Sequence, residues 1–251
     1  MKRVLGRSGY SYLSALVLAR RFRYYEHRVL ATKNPQLRTD INWGNSACGG
    51  AQFNGSIITN KRTQLRLLSR NEIPALEVFT DKNSVVYPVF CRQRFHQAGN
   101  DIIIANTLEE VPLGTFFMTK AEKFSGELRI HTFRYGEELF TRAFKKVTSA
   151  DEPEYPIRNL DHSYQFKLVS VSDELKEFLV RVIETLNMEF FCIDIGRNPG
   201  KQYTVIEVNS APSLANNVNT LDWYVNNFGR YMYTEWEEVN NDRTEQTENS
   251  G

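Results

Sequence analysis

Apolar and polar positions alternate through Phe190–Arg197 and again through Tyr203–Asn209, which predicts two strands. Between them, Asn198-Pro199-Gly200-Lys201 has the Pro-then-Gly signature of a β-turn. With Pro199 and Gly200 as its central residues, Arg197 faces Gln202, Asp194 faces Val205 and Cys192 faces Glu207; a bulge would change which residues oppose. On that register one face holds Phe191, Ile193, Ile195, Thr204, Ile206 and Val208. The other holds Asp194, Glu207 and Asn209, with Glu207 diagonal to Asp194.

Helical periodicity marks four further stretches. A helix opening at Ser172, with Asp173 and Glu174 in its first turn, carries the stripe Leu175, Phe178, Leu179, Val182, Ile183 and Leu186. That stripe is expected to pack on the apolar face of the hairpin. Other helices are predicted from about Ser11 to Phe22, from Asn60-Lys61 through Leu65 and Leu68 to Ile73-Pro74, and from Thr220 to about Trp236. Strands are predicted at Arg3–Leu5, Asp40–Trp43, Val85–Cys91, Gly114–Thr119, Glu127–Phe133 and Leu139–Lys146. In the Glu127 strand, Leu128 and Ile130 face one way while Glu127, Arg129 and His131 face the other. If the turn at Tyr135-Gly136 has two central residues, Arg142, Phe144 and Lys146 join the face of Glu127 and Arg129. No internal repeat is present.

A hairpin with one apolar face is anchored on a core, so Asp194, Glu207 and Asn209 project from a rigid platform. Two carboxylates and an amide oxygen converging there repel unless a cation lies between them, and such hard oxygen donors suit Mg²⁺ or Mn²⁺. Composition changes little. The 251 residues are 41% hydrophobic and 24% charged, with a formal charge of +1, giving no global reason to expect nucleic acid or a membrane surface. Cys48, Cys91 and Cys192 are widely spaced without a CxxC pair, which points to free thiols rather than disulfides or zinc. No apolar run approaches a membrane span, and Leu13–Ala19 is too short and serine-containing for a secretory signal, so a cytoplasmic location is expected.

The run from Phe190 to Leu214, ending Asn209-Ser210-Ala211-Pro212-Ser213-Leu214, resembles the C-terminal motif of the ATP-grasp superfamily, with Ser213 where that family usually has glycine. The chain looks most like small ATP-grasp proteins encoded by tailed bacteriophages. Those are similar to ribosomal-protein glutamate ligases and, more distantly, to D-alanine:D-alanine ligase. The resemblance implies an α/β (α+β) ATP-grasp fold, in which two α+β subdomains grip ATP behind a small α/β N-terminal domain. The implied division is 1–59 for that domain, and 60–113 and 114–234 for the subdomains; residues 235–251, polar, acidic and devoid of apolar clusters, are predicted to be a disordered tail.

By the same resemblance Asp194, Glu207 and Asn209 would hold the magnesium ions of bound ATP. Lys61, Arg92 and either Lys145 or Lys146 would meet its phosphates. The backbone of Lys120, Ala121, Glu122 and Lys123 would meet adenine, and Glu127 the ribose hydroxyls. Arg129 and Arg92 would stabilise the transferring phosphoryl group. The loops containing Arg7-Ser8-Gly9 and Gly44-Asn45-Ser46 would wall the substrate cleft, a glycine-containing loop around Gly99 with His96 would close over the phosphates, and Arg158-Asn159 would serve the acceptor. The implied reaction is carboxylate–amine ligation through an acylphosphate. The alternatives are a kinase on an alcohol or a non-catalytic ATP-binding protein. D-Alanine:D-alanine ligase has an arginine where this chain has Cys192, so a peptide or protein carboxylate is the expected substrate class, with an amine as co-substrate. A homodimer is consistent with such relatives, in the host cytoplasm if the protein is viral.

Overall fold

A computed structural model describes residues 1–7, 9–93, 102–148, 164–198, 200, 202–214, 217–234 and 236. The expectations for Ser8, for the Gly99 loop with His96, for Arg158-Asn159, for Pro199 and Lys201 in the turn, and for Glu235 and residues 237–251 lie outside the described residues.

Three sheets, four α-helices and a single 3-10 turn at Lys82–Ser84 are present among those residues. The chain opens with β1 (Lys2–Gly6), α1 (Gly9–Tyr24), β2 (Val29–Thr32) and β3 (Ile41–Trp43), which form a parallel sheet in the order β2-β1-β3. Then α2 (Lys61–Arg70) leads to an antiparallel sheet of β4 (Val78–Phe79), β5 (Val89–Arg92), β6 (Ile102–Ala105) and β7 (Phe117–Lys120), ordered β4-β7-β5-β6. The largest sheet contains β8 (Gly126–Tyr135), β9 (Glu138–Thr148), β10 (Tyr164–Val169), β11 (Phe190–Arg197) and β12 (Tyr203–Asn209), ordered β10-β9-β8-β11-β12 and antiparallel throughout. α3 (Asp173–Leu186) precedes β11, and α4 (Val218–Met232) follows β12.

The helix ends follow their capping residues. Asn60 accepts from the Thr63 amide at 3.0 Å, and Ser172 from the Leu175 amide at 3.3 Å, each satisfying a donor with no intrahelical partner. The apolar stripe of α3 is buried as expected. It packs against Ile193, Ile195, Val205 and Val208 of the hairpin and Leu65 and Leu68 of α2 in one core. The opposite face of the large sheet ends in Phe133 and Phe190, which join α1, α4, Trp43 and Phe53 in a second core. The large sheet is therefore covered on both faces, by α3 behind and by α4 with the N-terminal layer at one end of the front.

Several elements differ from the sequence pattern. Residues 85–87 do not extend β5, which begins after Pro88, a residue with no amide for the ladder; Val86 is exposed. The short strands β2, β4 and β6 carry too little periodicity to stand out, whereas β10 is an addition to the predicted strands although Tyr164-Gln165-Phe166-Lys167-Leu168 alternates. In the hairpin, Val205 rather than Thr204 or Ile206 lies in the α3 core, because the turn sets Arg197 opposite Tyr203 and the pairing shifts again between Asp194 and Ile195.

The α3 core sets the pitch of the platform from behind. Leu179 is fully buried there, so Leu179→Ala is expected to cost roughly 2–5 kcal/mol. Denaturant midpoints of wild type and variant measure this; a loss below about 1 kcal/mol would contradict tight packing at that seam.

Candidate functional site

The acidic residues meet more closely than the unbroken hairpin predicts. Asp194 lies directly opposite Glu207, and Cys192 opposite Asn209, whereas Ile195 pairs with Val205. Ile206 is the extra residue of a bulge. The expected pairings of Asp194 with Val205, Cys192 with Glu207 and Arg197 with Gln202 are corrected in two steps: the turn sets Arg197 opposite Tyr203, one residue on, and the Ile206 bulge adds a second residue from Asp194 onward. Both carboxylates thus stand side by side on the front of the sheet, at the foot of a polar row.

Cations from four elements converge on them. Lys61, the first residue of α2, reaches Glu207 Oε2 at 2.9 Å, and Arg92, the last of β5, approaches the same oxygen at 3.5 Å. A lysine in a first helical turn is disfavoured by the helix dipole, and Glu207 supplies the compensating charge. Arg129 on β8 grips Asp194 with two hydrogen bonds of 2.9 Å, the fork geometry that a guanidinium and carboxylate favour. Lys146 on β9 lies 3.1 Å from Glu127 and 3.3 Å from Asp194. Asn209 donates from Nδ2 to Glu207 Oε1 at 2.8 Å.

The β8–β9 register separates the two lysines that motif comparison leaves open. Lys146 pairs with Glu127 and is buried on the front face. Lys145 pairs with Leu128, on the opposite face, and is exposed. Arg129, Phe144 and Lys146 share a face as the two-residue turn predicts, and Phe166 of β10 adds a ring 5.4 Å from the Arg129 guanidinium. Lys120, Ala121, Glu122 and Lys123 continue from β7 toward β8. The Ala121 amide bonds Pro88 O at 3.0 Å, and among the described residues these four make no ion pair with the cluster.

Burial disfavours ionising Asp194, yet Arg129 and Lys146 outweigh it and hold the carboxyl below its usual value. Burial likewise opposes a charge on Glu207, which Lys61 and Arg92 overturn, leaving it well below the usual carboxylate range. Lys146 is pushed down by burial, but Asp194 and Glu127 more than restore it. Attraction to Asp194 raises Arg129. The acids and cations are mutually required: removing either partner strands a buried charge.

A neutral network that no motif announces lies beside them. His131 Nδ1 is 3.1 Å from the Tyr224 hydroxyl of α4, and Cys192 Sγ is 3.8 Å from His131 Nε2. Burial, then Arg129, pushes His131 down to about 3, and burial pushes Cys192 up to about 12. Both are neutral near pH 7, and all three cysteines are buried and free. The alternation of β8 puts His131 on this face; nothing in the sequence pairs it with Tyr224. One wall comes from the loop after β3. Gly44 has φ +79°, and a Cβ there would stand 2.6 Å from the Ala211 methyl, so its identity follows from both backbone and close approach.

No family model and no curated protein matches the sequence. Solved structures match its fold. ATP-grasp ligase PsnB, complexed with a phosphomimetic variant of minimal precursor, Mg and ADP, aligns with a TM-score of 0.63 over 92% of this chain and 98% of that one, at 13% identity. Carboxyaminoimidazole ribonucleotide synthase from Aspergillus clavatus, complexed with ATP, aligns with a TM-score of 0.59 over 83% and 70%, at 12% identity. N5-Carboxyaminoimidazole synthetase from Staphylococcus aureus aligns with a TM-score of 0.56 over 87% and 72%, at 11% identity. The mixed α/β architecture is thus the ATP-grasp fold.

The depressed carboxyls give a signed pH dependence. Their contribution to stability is complete above the ordinary unfolded carboxylate values of about 4 and is lost as pH falls through the lower folded values. Between about pH 5 and pH 3 the stability of wild type is expected to fall more steeply than that of Glu207→Gln, as measured by urea unfolding. Equal slopes would show that Glu207 is not held ionised by its neighbours.

Proposed function

We propose that the protein is an ATP-dependent carboxylate–amine ligase acting on a peptide or protein carboxylate. The observation that carries this reading is the directly opposed pair Asp194 and Glu207, ringed by Lys61, Arg92, Arg129 and Lys146. With Glu127 the cluster holds four cations and three acids, an excess of positive charge suited to a polyanion such as triphosphate. Lys61 and Arg92 belong to α2 and the four-stranded sheet, whereas Arg129 and Lys146 belong to the five-stranded one. A nucleotide bound between the two sheets would be held from both sides.

The donor chemistry fits magnesium. Two adjacent carboxylates and the amide oxygen of Asn209 are hard ligands on a rigid strand pair, and Asp194, Glu207 and Asn209 would hold the ion. Mg²⁺ would supply charge neutralisation on the phosphate oxygens. Lys61 and Arg92 are paired to Glu207 and can pass to phosphate oxygens, while Lys146 keeps Glu127 oriented for ribose hydroxyls. The backbone of Lys120–Lys123 would line adenine. Arg129, fixed by Asp194, would present a guanidinium beside the transferring phosphoryl group.

The chemistry asks the protein mainly for positioning and charge neutralisation. A substrate carboxylate oxygen bonds to the γ-phosphorus while the bond to ADP breaks, giving an acylphosphate. An amine nitrogen then attacks the acyl carbon, phosphate leaves and the nitrogen loses a proton. No cysteine nucleophile is called for, in keeping with the neutral, buried thiol of Cys192. Two points support a peptide or protein acceptor. Cys192 replaces the arginine that D-alanine:D-alanine ligase carries, and PsnB, which shares the fold, is a ligase complexed with a precursor.

Mass spectrometry of cells expressing wild type or Glu207→Gln protein tests the reaction. A mass increase matching amide formation on a peptide or protein is expected with wild type alone, and a phosphate ester would instead identify a kinase. Purified Glu207→Gln should lose roughly 10²–10³-fold in ATP turnover; unchanged turnover would sink the mechanism. A second expectation separates neighbours. Lys146→Met should weaken nucleotide binding by roughly tenfold or more, while Lys145→Met leaves it within about twofold, as titration calorimetry would read. Equal effects would remove the assigned role of Lys146.

A further inference from the structure

Charge is distributed unevenly along this nearly neutral chain. Residues 1–38 contain nine lysines and arginines against one acid, Glu26, and the remainder carries a net excess of acid. The folding of the first layer gathers much of this charge at one end. Because α1 runs back along β1, its last turn lies beside the start of β1 and of β2, and the Lys2 amide bonds Arg28 O at 3.3 Å. Lys2 is occupied by Asp40 at 3.3 Å, Arg3 by Arg38 O at 3.2 Å, and Arg21 by Asp222. Arg20, Arg23, Arg28 and Arg38 are exposed and make no ion pair among the described residues.

The same end shows apolar surface. Tyr24 is 72% exposed, and Leu37 43%. This end lies opposite the Gly44 loop, which touches Ala211, so it is remote from the carboxylate cluster.

We infer that this arginine- and tyrosine-bearing end of the N-terminal layer is a docking surface for an acidic segment of another protein that carries aliphatic or aromatic side chains. Arginine and tyrosine are enriched at protein interface centres, whereas nucleic-acid surfaces are more uniformly polar and basic. A second copy would oppose arginine with arginine. The chain's own residues 237–251 are acidic but contain Val239 as their only large apolar residue, so they match the charge and leave Tyr24 and Leu37 unmatched. The surface does not depend on the ligase reading.

The test uses the full chain and a labelled synthetic peptide of glutamate and aspartate with leucine and phenylalanine at every third or fourth position. Saturable binding is expected at about 150 mM salt. It should weaken roughly tenfold or more in Arg23→Glu/Arg28→Glu, in Tyr24→Ser, and for a peptide with serine in place of leucine and phenylalanine. All of these side chains are exposed, so the unfolding midpoint should stay put. The inference is overturned by absence of saturable binding or by binding that survives both variants. It is equally overturned if duplex DNA or phosphatidylserine vesicles bind wild type as tightly as the peptide.

Discussion

The structure turns on the contact between Asp194 and Glu207. Side chains directly opposed on antiparallel strands stand about 5 Å apart at Cβ. At an effective dielectric of about 20, two negative charges at that spacing repel by roughly 3 kcal/mol. Burial adds to this, and one carboxyl would ordinarily take up a proton. Both instead sit below their usual pKa because cations arrive from α2, β5, β8 and β9. Those elements belong to different sheets and a separate helix, so the charge balance exists only when the whole architecture has closed. The site is in this sense a consequence of tertiary assembly, and no single motif contains it.

What keeps the pair in place is unlike on the two sides of the sheet. Behind it, α3 packs hydrocarbon against Ile193, Ile195, Val205 and Val208, a contact whose strength scales with area and tolerates small shifts. In front, His131, Tyr224 and Cys192 are neutral polar groups in a dry environment, and such groups are costly when their partners move. Through Tyr224 they join the ionic row to α4, which the partly buried Arg21–Asp222 pair ties to α1. The N-terminal layer is thereby joined through α4 to the polar face that carries the carboxylates.

Much of this could be read from the chain, and the failures have physical causes. The stripe of α3 and its Ser172 cap were legible because amphipathic periodicity and capping are local properties. So was the shared face of Glu127, Arg129, Phe144 and Lys146, since a tight turn fixes register on both sides. By contrast β2, β4 and β6 have four residues or fewer, and their existence is decided by neighbours in the sheet. Lys61 was suggested by the resemblance of its helix start, but its pairing with Glu207, 146 residues later, could not be read from the chain. Tyr224 could not be found at all, because its partner lies 93 residues earlier in the chain and only folding brings them together.

The bulge at Ile206 connects the legible part to the illegible. The strand reads Thr204-Val205-Ile206-Glu207-Val208, with two aliphatic residues side by side where strict alternation allows one. Counting back from Glu207 through an unbroken ladder puts Ile206 in the core and leaves Glu207 diagonal to Asp194, about 7–8 Å away. The chain takes the other option. Val205 enters the core, Ile206 is left partly exposed, and the partner of Asp194 moves on by two residues, one at the turn and one at Ile206. Hydrophobic burial barely distinguishes the two arrangements, since each buries one aliphatic side chain. The electrostatic difference is larger: the slip brings Glu207 level with Asp194 and within reach of Lys61 and Arg92, where its charge is neutralised. The adjacent aliphatic pair thus leaves the core indifferent to register, and the ionic cluster makes the choice.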